Sequence, residues 1–344
     1  MPPPTEPGRR VTMREVATRA GVSAKTVSRV INNETNVNEA TRARVRAAVT
    51  DLGYVLDAAA ANLARVRRTS RSIALLISSV DNPFSAQLFR GVETVATHRG
   101  VMVFAASTEE DPAIEDRLIS AFASRFVDGF IITPTAQDHR HIASLIGARV
   151  PVVYVDRTPA GIGADVVTSN NRESARTATA HLIRHGHTRI GLMTDHTSLE
   201  TAEERRQGYV DALAANGLVQ DPALMELGVA TRTDAEAAAT RLLDLPAPPT
   251  AIFAARNIAS IGLVQVLRAR GLSQTMAVVG LDDVGLSDLL DPPLTVMAQD
   301  AVAIGTLAAE RLFARLDGDD TPPDRYVVPA SLIERGSGEL PVPR

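Results

Sequence analysis

VTMREVATRAGVSAKTVSRVIN, residues 11–32, holds two short amphipathic segments that meet at Gly21. Thr12 followed three residues later by Glu15 is a capping-box pattern and opens a helix. Met13, Val16, Ala17 and Ala20 then share one face, and Gly21 suits the left-handed end of that helix. Ser23 caps a second helix, in which Val27, Val30 and Ile31 face inward while Ala24, Lys25, Ser28 and Arg29 face outward. Asn38 caps a third, with Val45, Ala48, Val49 and Leu52 inward, Arg42, Arg44 and Arg46 mostly outward, and Gly53 at its close. Two helices joined by a glycine turn, with a third packed behind, form a helix-turn-helix.

The second helix of such a unit presents its N-terminal residues to the DNA major groove. Lys25 and Arg29 lie four residues apart, so they share a face. Either can reach guanine O6 and N7. Ala24 is small enough to meet a thymine methyl. Thr12, Ser23, Thr26, Ser28 and Asn32 are short polar groups suited to phosphate oxygens. A purely structural helical hairpin would show the same spacing.

Charge separates this head from the rest. Residues 1–71 carry 13 basic and 6 acidic residues, a net +7, whereas the remainder carries 23 and 34, a net −11. A basic head on an acidic body fits a polyanion partner for the head alone. The 344 residues exceed a single ordinary core, so two or three domains are expected. There is no cysteine, which excludes disulfides and thiolate metal sites and fits a reducing compartment. MPPPTEPGRR at the start has no apolar core of a signal peptide, and no run is long enough to span a membrane. A cytoplasmic location is expected.

From Ser72 onward, SIALLIS, VMVFAAS, DGFIITP, PVVYVD, RIGLMTD, TAIFAA and MAVVGLD read as buried strands alternating with amphipathic helices. That alternation predicts doubly wound parallel sheets, and about ten strands suit two α/β halves. A faint internal repeat supports this: residues 72–100 and 189–217 each run strand, polar loop, helix with an early Gly91-Val92 or Gly208-Tyr209, and a closing glycine. Two such halves enclose a cleft at the carboxyl ends of their strands. The segment DAAAANLARVRR, residues 57–68, is alanine-rich with little to bury, so its helix is marginal alone.

VTMREVATRAGVSAKTVSRVIN followed by VNEATRARVRAAVTDLGY resembles the DNA-binding headpiece of the LacI family of bacterial transcription regulators, and the resemblance continues along the chain. It implies an α/β protein with a helix-turn-helix headpiece and a two-subdomain effector domain like the periplasmic binding proteins. The expected layout is a tail at 1–10, the headpiece at 11–56, a hinge helix and linker at 57–71 and the effector domain at 72–340. Its first half is expected at 72–167 and 299–326, its second at 168–298 and 327–340. The implied function is a regulator, a repressor, that binds a palindromic double-stranded operator as a homodimer and answers to a small sugar or sugar acid. Leu63 matches the leucine that wedges into the minor groove. Ala61 departs from the arginine common among relatives. The chain stops at ERGSGELPVPR without leucine heptads, so a dimer rather than a tetramer is expected.

The implied effector contacts are the strand-end residues Asp81, Asn82, Phe84, Ser85, Asp156, Arg157, Arg205, Arg256 and Asp282. Carboxylates and amides suit hydroxyls, an arginine forks onto an acid or diol, and an aromatic covers a ring. Asn82 could instead only shape a turn, and Arg157 only bridge charges. Relatives usually carry Asn-Asp where this chain has Arg256-Asn257, and Asn170-Asn171 lacks an acid common there. A less negative pocket is therefore expected, with an acidic or phosphorylated sugar considered beside a neutral one. GIG at 161–163 lacks the third glycine of a dinucleotide fingerprint. The pairs His139/His141 and His185/His187 show no third ligand, so no metal and no cofactor is expected. The rival reading, a sugar receptor or enzyme with an incidental basic head, lacks both a leader and a catalytic constellation.

Overall fold

The computed structural model describes residues 12–31, 37–52, 70–125, 127–135, 150–159 and 163–343. Asn32, Gly53, Ala61, Leu63, His139 and His141 lie outside the described residues. The chain divides into two compact units, 1–70 and 71–344.

The first unit has three helices, α1 (Met13–Ala20), α2 (Ala24–Ile31) and α3 (Glu39–Leu52). Local chemistry sets their ends. Thr12 and Glu15 form the full capping box, and Gly21 ends α1 at φ 64°. Ser23 Oγ accepts from the Thr26 amide at 3.1 Å and Asn38 Oδ1 from the Thr41 amide at 2.8 Å. Val16, Val27, Val30, Val45 and Ala48 are buried together as its core.

The second unit contains β1 (Ser72–Ile77), α4 (Pro83–His98), β2 (Met102–Ser107), α5 (Pro112–Ala123), β3 (Gly129–Ile132), β4 (Val152–Val155) and β5 (Asp165–Ser169). There follow α6 (Asn171–Arg184), β6 (Ile190–Thr194), α7 (Glu200–Ala215), β7 (Met225–Leu227), α8 (Arg232–Leu243), β8 (Ala251–Ala254), α9 (Asn257–Ala269) and β9 (Ala277–Leu281). β10 (Thr295–Ala298), α10 (Ala301–Leu316), β11 (Arg325–Val328) and β12 (Ser331–Ile333) complete it.

Two six-stranded sheets result, ordered β11-β5-β4-β3-β1-β2 and β12-β10-β9-β8-β6-β7. Each has an apolar cluster on both faces, as helices wound on both sides require. Every described pairing is parallel except β10 with β12. The chain passes between the sheets three times: after β5, after β10 and after β11. β5 runs on to Ser169 and β11 to Val328 within the first sheet.

One strand expected to be buried is not. β2 is the edge of its sheet, with Met102 66% and Phe104 41% exposed. Val103 still packs on the core and Phe104 stacks on Phe122 of α5, so only the outer edge of the strand lacks a neighbour, and an apolar run does not reveal that. Gly91 and Gly208, the repeat's early glycines, lie at tight helix contacts. A Cβ on Gly91 would fall 2.2 Å from the Val302 carbonyl oxygen of α10, and one on Gly208 2.0 Å from the Arg172 carbonyl oxygen of α6.

Candidate functional site

The strands of both sheets deliver their carboxyl ends to one cleft. Its inner part is a cavity of about 50 Å³ whose lining includes Asn82, Phe84, Ser85, Asp156, Arg157, Arg205, Arg256 and Asp282. Asp81 lines instead an adjoining outer cavity of about 780 Å³.

Each side chain is placed by a local device. Asn82 caps α4 by accepting from the Phe84 amide at 3.0 Å. Ser85, in the first turn of α4, is buried with its hydroxyl 3.4 Å from that of Ser78. Asp156 and Asp282 follow β4 and β9 in left-handed backbone, at φ 70° and 63°. An aspartate tolerates that region better than most side chains, and such conformations gather at functional sites. Arg205 projects from the second turn of α7. Its Nε donates to Asn171 Oδ1 at 2.8 Å and its Nη1 to the Ala255 carbonyl at 3.2 Å.

Burial dominates the charges here. Arg205 is buried, which pulls its pKa below the ordinary guanidinium value, while Asp156 and Asp282 oppose that shift and Arg256 and Arg157 add to it. Burial pushes the Asp282 carboxyl above the usual range, against the hydrogen bond from Gln299 and the charge of Arg205. Gln299 Nε2 donates to Asp282 Oδ1 at 2.7 Å and Asn257 Nδ2 to Asp282 Oδ2 at 3.1 Å. Asn257 Nδ2 also donates to Asn82 Oδ1 at 2.7 Å, tying the two halves across the cleft. Glu200 of α7 makes a second tie by accepting from the Thr158 amide.

Among the lining residues that are not sequence candidates, four carry a carboxylate or an amide: Glu110, Asp195, Asn257 and Gln299. Two of them change the electrostatics. Arg157 Nη1 and Nη2 donate to both Glu110 oxygens, at 2.6 and 2.7 Å. Burial works against the Arg157 charge, but the Glu110 hydrogen bond with Asp156, Glu110 and Asp195 nearby raises its pKa overall. Arg256 pairs with Asp195 and donates to the Val229 carbonyl at 3.2 Å. The inner lining thus holds four carboxylates (Glu110, Asp156, Asp195, Asp282) and three guanidiniums (Arg157, Arg205, Arg256). Glu110 and Asp195 thus add two carboxylates to the lining beside Asp156 and Asp282, although Arg256-Asn257 and Asn170-Asn171 contribute none. Arg157 bridges to Glu110 within its own half rather than across the cleft.

On the headpiece, Ala24 and Lys25 are exposed at the start of α2, Ser28 and Arg29 are half-buried one turn on, and Val27 and Val30 point inward. Thr12 and Ser23 are exposed, but their hydroxyls already serve caps. Thr12 Oγ1 donates to Glu15 at 2.8 Å, and Ser23 Oγ lies 2.9 Å from the half-buried Thr26 hydroxyl. Of the histidines, His187 is buried between Thr250 Oγ1 and the Leu340 carbonyl, each at 2.9 Å. Among the described residues, His181 with Glu334 and Glu339 has spacing that could hold a cation. His181 Nε2 lies 2.6 Å from Glu339, which Thr295 also holds, so this group fastens the C-terminal segment. No helix among the described residues is long and apolar enough to cross a membrane.

Residues 12–57 match the family model described as bacterial regulatory proteins, lacI family, and residues 70–336 the one described as periplasmic binding proteins and sugar binding domain of LacI family. The chain is 35% identical over 340 residues to the HTH-type transcriptional regulator CelR of Thermobifida fusca, spanning 96% of this chain and 99% of that one. It is similar to the solved CelR–cellobiose complex, at 33% identity and TM-score 0.72 over 95% of this chain and all of that one. It is also similar to the lac repressor dimer bound to operator and an anti-inducer, at 25% identity and TM-score 0.81 over 96% and 99% of the two chains. With matching models over the headpiece and over most of the body, the chain belongs to the LacI family of bacterial regulatory proteins.

Proposed function

We propose that the protein is a sequence-specific DNA-binding repressor whose operator affinity is set by a neutral sugar held in the cleft. The observation that carries this reading is the buried Arg205 set among Asp156 and Asp282 at the carboxyl ends of two facing sheets, in a chain with a helix-turn-helix. Carboxylates, amides and one buried guanidinium are the groups that hydrogen-bond hydroxyls. Arg157 and Arg256 are committed to Glu110 and Asp195, so a neutral polyol fits better than a sugar acid. Lys25 and Arg29 read bases. Leu63 would enter the minor groove.

A two-fold dimer places two headpieces on a palindrome. Two exposed apolar patches support it: Met102 with Phe104 on the β2 edge, and Leu286 with Leu289, 70% and 73% exposed. Sedimentation of the DNA-free protein should show a dimer.

Fluorescence anisotropy with fragments of the source genome, with and without sugars, tests the function. One fragment should bind specifically, and a sugar should change that affinity by about 1–3 kcal/mol. Arg29→Ala should cost about 1–3 kcal/mol on the specific fragment and relax preference at one base pair. Specific binding by no fragment would sink the reading.

A further inference from the structure

Of the 36 basic side chains 35 are arginines, and Lys25 is the only lysine in the chain. The chain also lacks cysteine. An arginine stays protonated in neutral water, whereas a lysine amine forms stable amides with activated acyl groups. Among the side chains, acylation to a stable amide therefore has one address, and it lies on the helix that reads DNA. The cations lining the inner cleft are all arginines, Arg157, Arg205 and Arg256, so the same chemistry leaves them unchanged.

The surroundings of Lys25 leave its amine open. Lys25 is the second residue of α2 and is exposed. Ser23 and Ala24 beside it are exposed too, and both are too short to cover it. The first turn of α2 carries no acidic residue. Lys25 makes no ion pair or hydrogen bond among the described residues. Other cations of the same unit are held, Arg19 by Asp51 and Arg42 by Glu39. The ammonium of Lys25 is thus kept for an acceptor outside the chain, and without DNA no described neighbour shields it from a small electrophile.

We infer that Lys25 is an acylation site, and that transfer of an acyl group to its Nζ from an acyl phosphate switches off operator binding without involving the effector cleft. In that step the lone pair of the free amine attacks the acyl carbon and the N–C bond forms. The C–O bond to phosphate breaks, inorganic phosphate leaves with the bonding pair, and the proton lost from nitrogen passes to water. The product is a neutral amide, which has lost the positive charge and keeps one N–H where the ammonium had three. One donor cannot serve guanine O6 and N7 together. A dimer carries the loss in both headpieces. This rests on the base-reading role proposed for Lys25 above and adds a second, covalent input to the same helix.

Acetyl phosphate is the probe. Full-length protein treated with it and mapped by mass spectrometry should carry an acetyl group at position 25. Its affinity for the genomic fragment that binds specifically should fall about 100-fold. The same fragment, in excess during treatment, should protect Lys25. Lys25→Arg should take up no acetyl group at position 25 and should hold its own untreated affinity after treatment, which separates Lys25 from the terminal amine. Lys25→Gln, neutral without any reagent, should bind the fragment about as weakly as the acetylated protein, with a thermal melt showing that it folds. An unmodified Lys25, a Lys25 that the fragment does not protect, or an acetylated protein binding within about twofold of the untreated one would overturn the inference. Failure of the untreated protein to bind any fragment would instead sink the regulator reading, a separate and recognisable result.

Discussion

The half of the body built on the first sheet and the half built on the second put an aspartate at the same point. Asp156 follows β4 and Asp282 follows β9, each the third strand from the equivalent edge. Each donates its backbone amide to the neighbouring strand at 2.9 Å, to Val167 and Met297 respectively, and each turns left-handed. The backbone is thus repeated and the side-chain setting is not. Arg157 follows Asp156 and is drawn to Glu110, while Asp283 follows Asp282 and is drawn outward to Arg335 and Ser287. A symmetric frame therefore presents an asymmetric cleft. The first half contributes the α4 cap Asn82 and a neutralised cation. The second contributes the buried Arg205 and the residue that ties the walls together, Asn257.

If the repeat is structural, its two tight helix contacts should fail alike. Gly91→Ala and Gly208→Ala each drive a Cβ into a backbone carbonyl, at 2.2 and 2.0 Å. Both should lose about 3 kcal/mol or more in urea melts, because backbone oxygen cannot step aside as a flexible side chain can. A neutral outcome at one site would break the equivalence of the halves. The asymmetry should appear in ligand binding. Arg205→Met should weaken effector binding about 100-fold, near 2.7 kcal/mol. Arg157→Met combined with Glu110→Gln removes a pair that satisfies itself and should cost less than about 1 kcal/mol in the same titration. Equal losses would mean that Arg157 also grips the ligand.

The frame was easier to read than the cleft. β1, β3, β4, β6, β8 and β9 carry apolar runs long enough to mark them, and the caps Thr12, Ser23 and Asn38 signal through their own chemistry. β5, β7, β10, β11 and β12 are not marked because polar residues cut their apolar runs short: Asp165, Thr168 and Ser169 in β5, Glu226 in β7, Thr295 in β10, Arg325 in β11 and Ser331 in β12. In β11 and β12, polar and apolar residues also share partly exposed faces. In the cleft, Glu110 reaches Arg157 only because Glu109 and Glu110 are both left-handed, at φ 51° and 56°, and no glycine or asparagine announces that turn. Asp195 and Gln299 immediately follow β6 and β10. The same strand-end rule that selected Asp156 and Asp282 reaches both when applied to every strand.

The left-handed aspartates allow a finer test of the same comparison. Asparagine tolerates that backbone region and alanine does not, so replacing aspartate by alanine rather than asparagine should cost about 1 kcal/mol more. The difference should be the same at positions 156 and 282, since the frame is the same. Unequal differences in thermal melts would show that the two turns carry different strain.

The smallest expected effect separates the halves by pH. The first half buries Asp165 against Arg315 and Arg311, and the second buries His187 against Thr250 and Leu340. Burial alone would raise the Asp165 pKa, but the Arg315 hydrogen bond, the Asp324 amide and both arginines hold it below the ordinary 3.8. Burial holds the His187 pKa below 6.5, aided by His185 and opposed by the Leu340 carbonyl. In both cases the unfolded chain binds protons more readily than the folded one, so stability is lost as pH falls. The windows differ: the Asp165 contribution is intact until pH drops toward 3.8, whereas the His187 contribution begins to fade below about 6.5. Between pH 7 and pH 6 the second half should therefore lose up to about 0.7 kcal/mol while the first is unchanged. Amide hydrogen exchange, corrected for its intrinsic pH dependence, would show protection falling in α6 and β8 ahead of β5 and α10. His187→Gln should remove that difference. Its persistence in the variant would assign the acid sensitivity to another group.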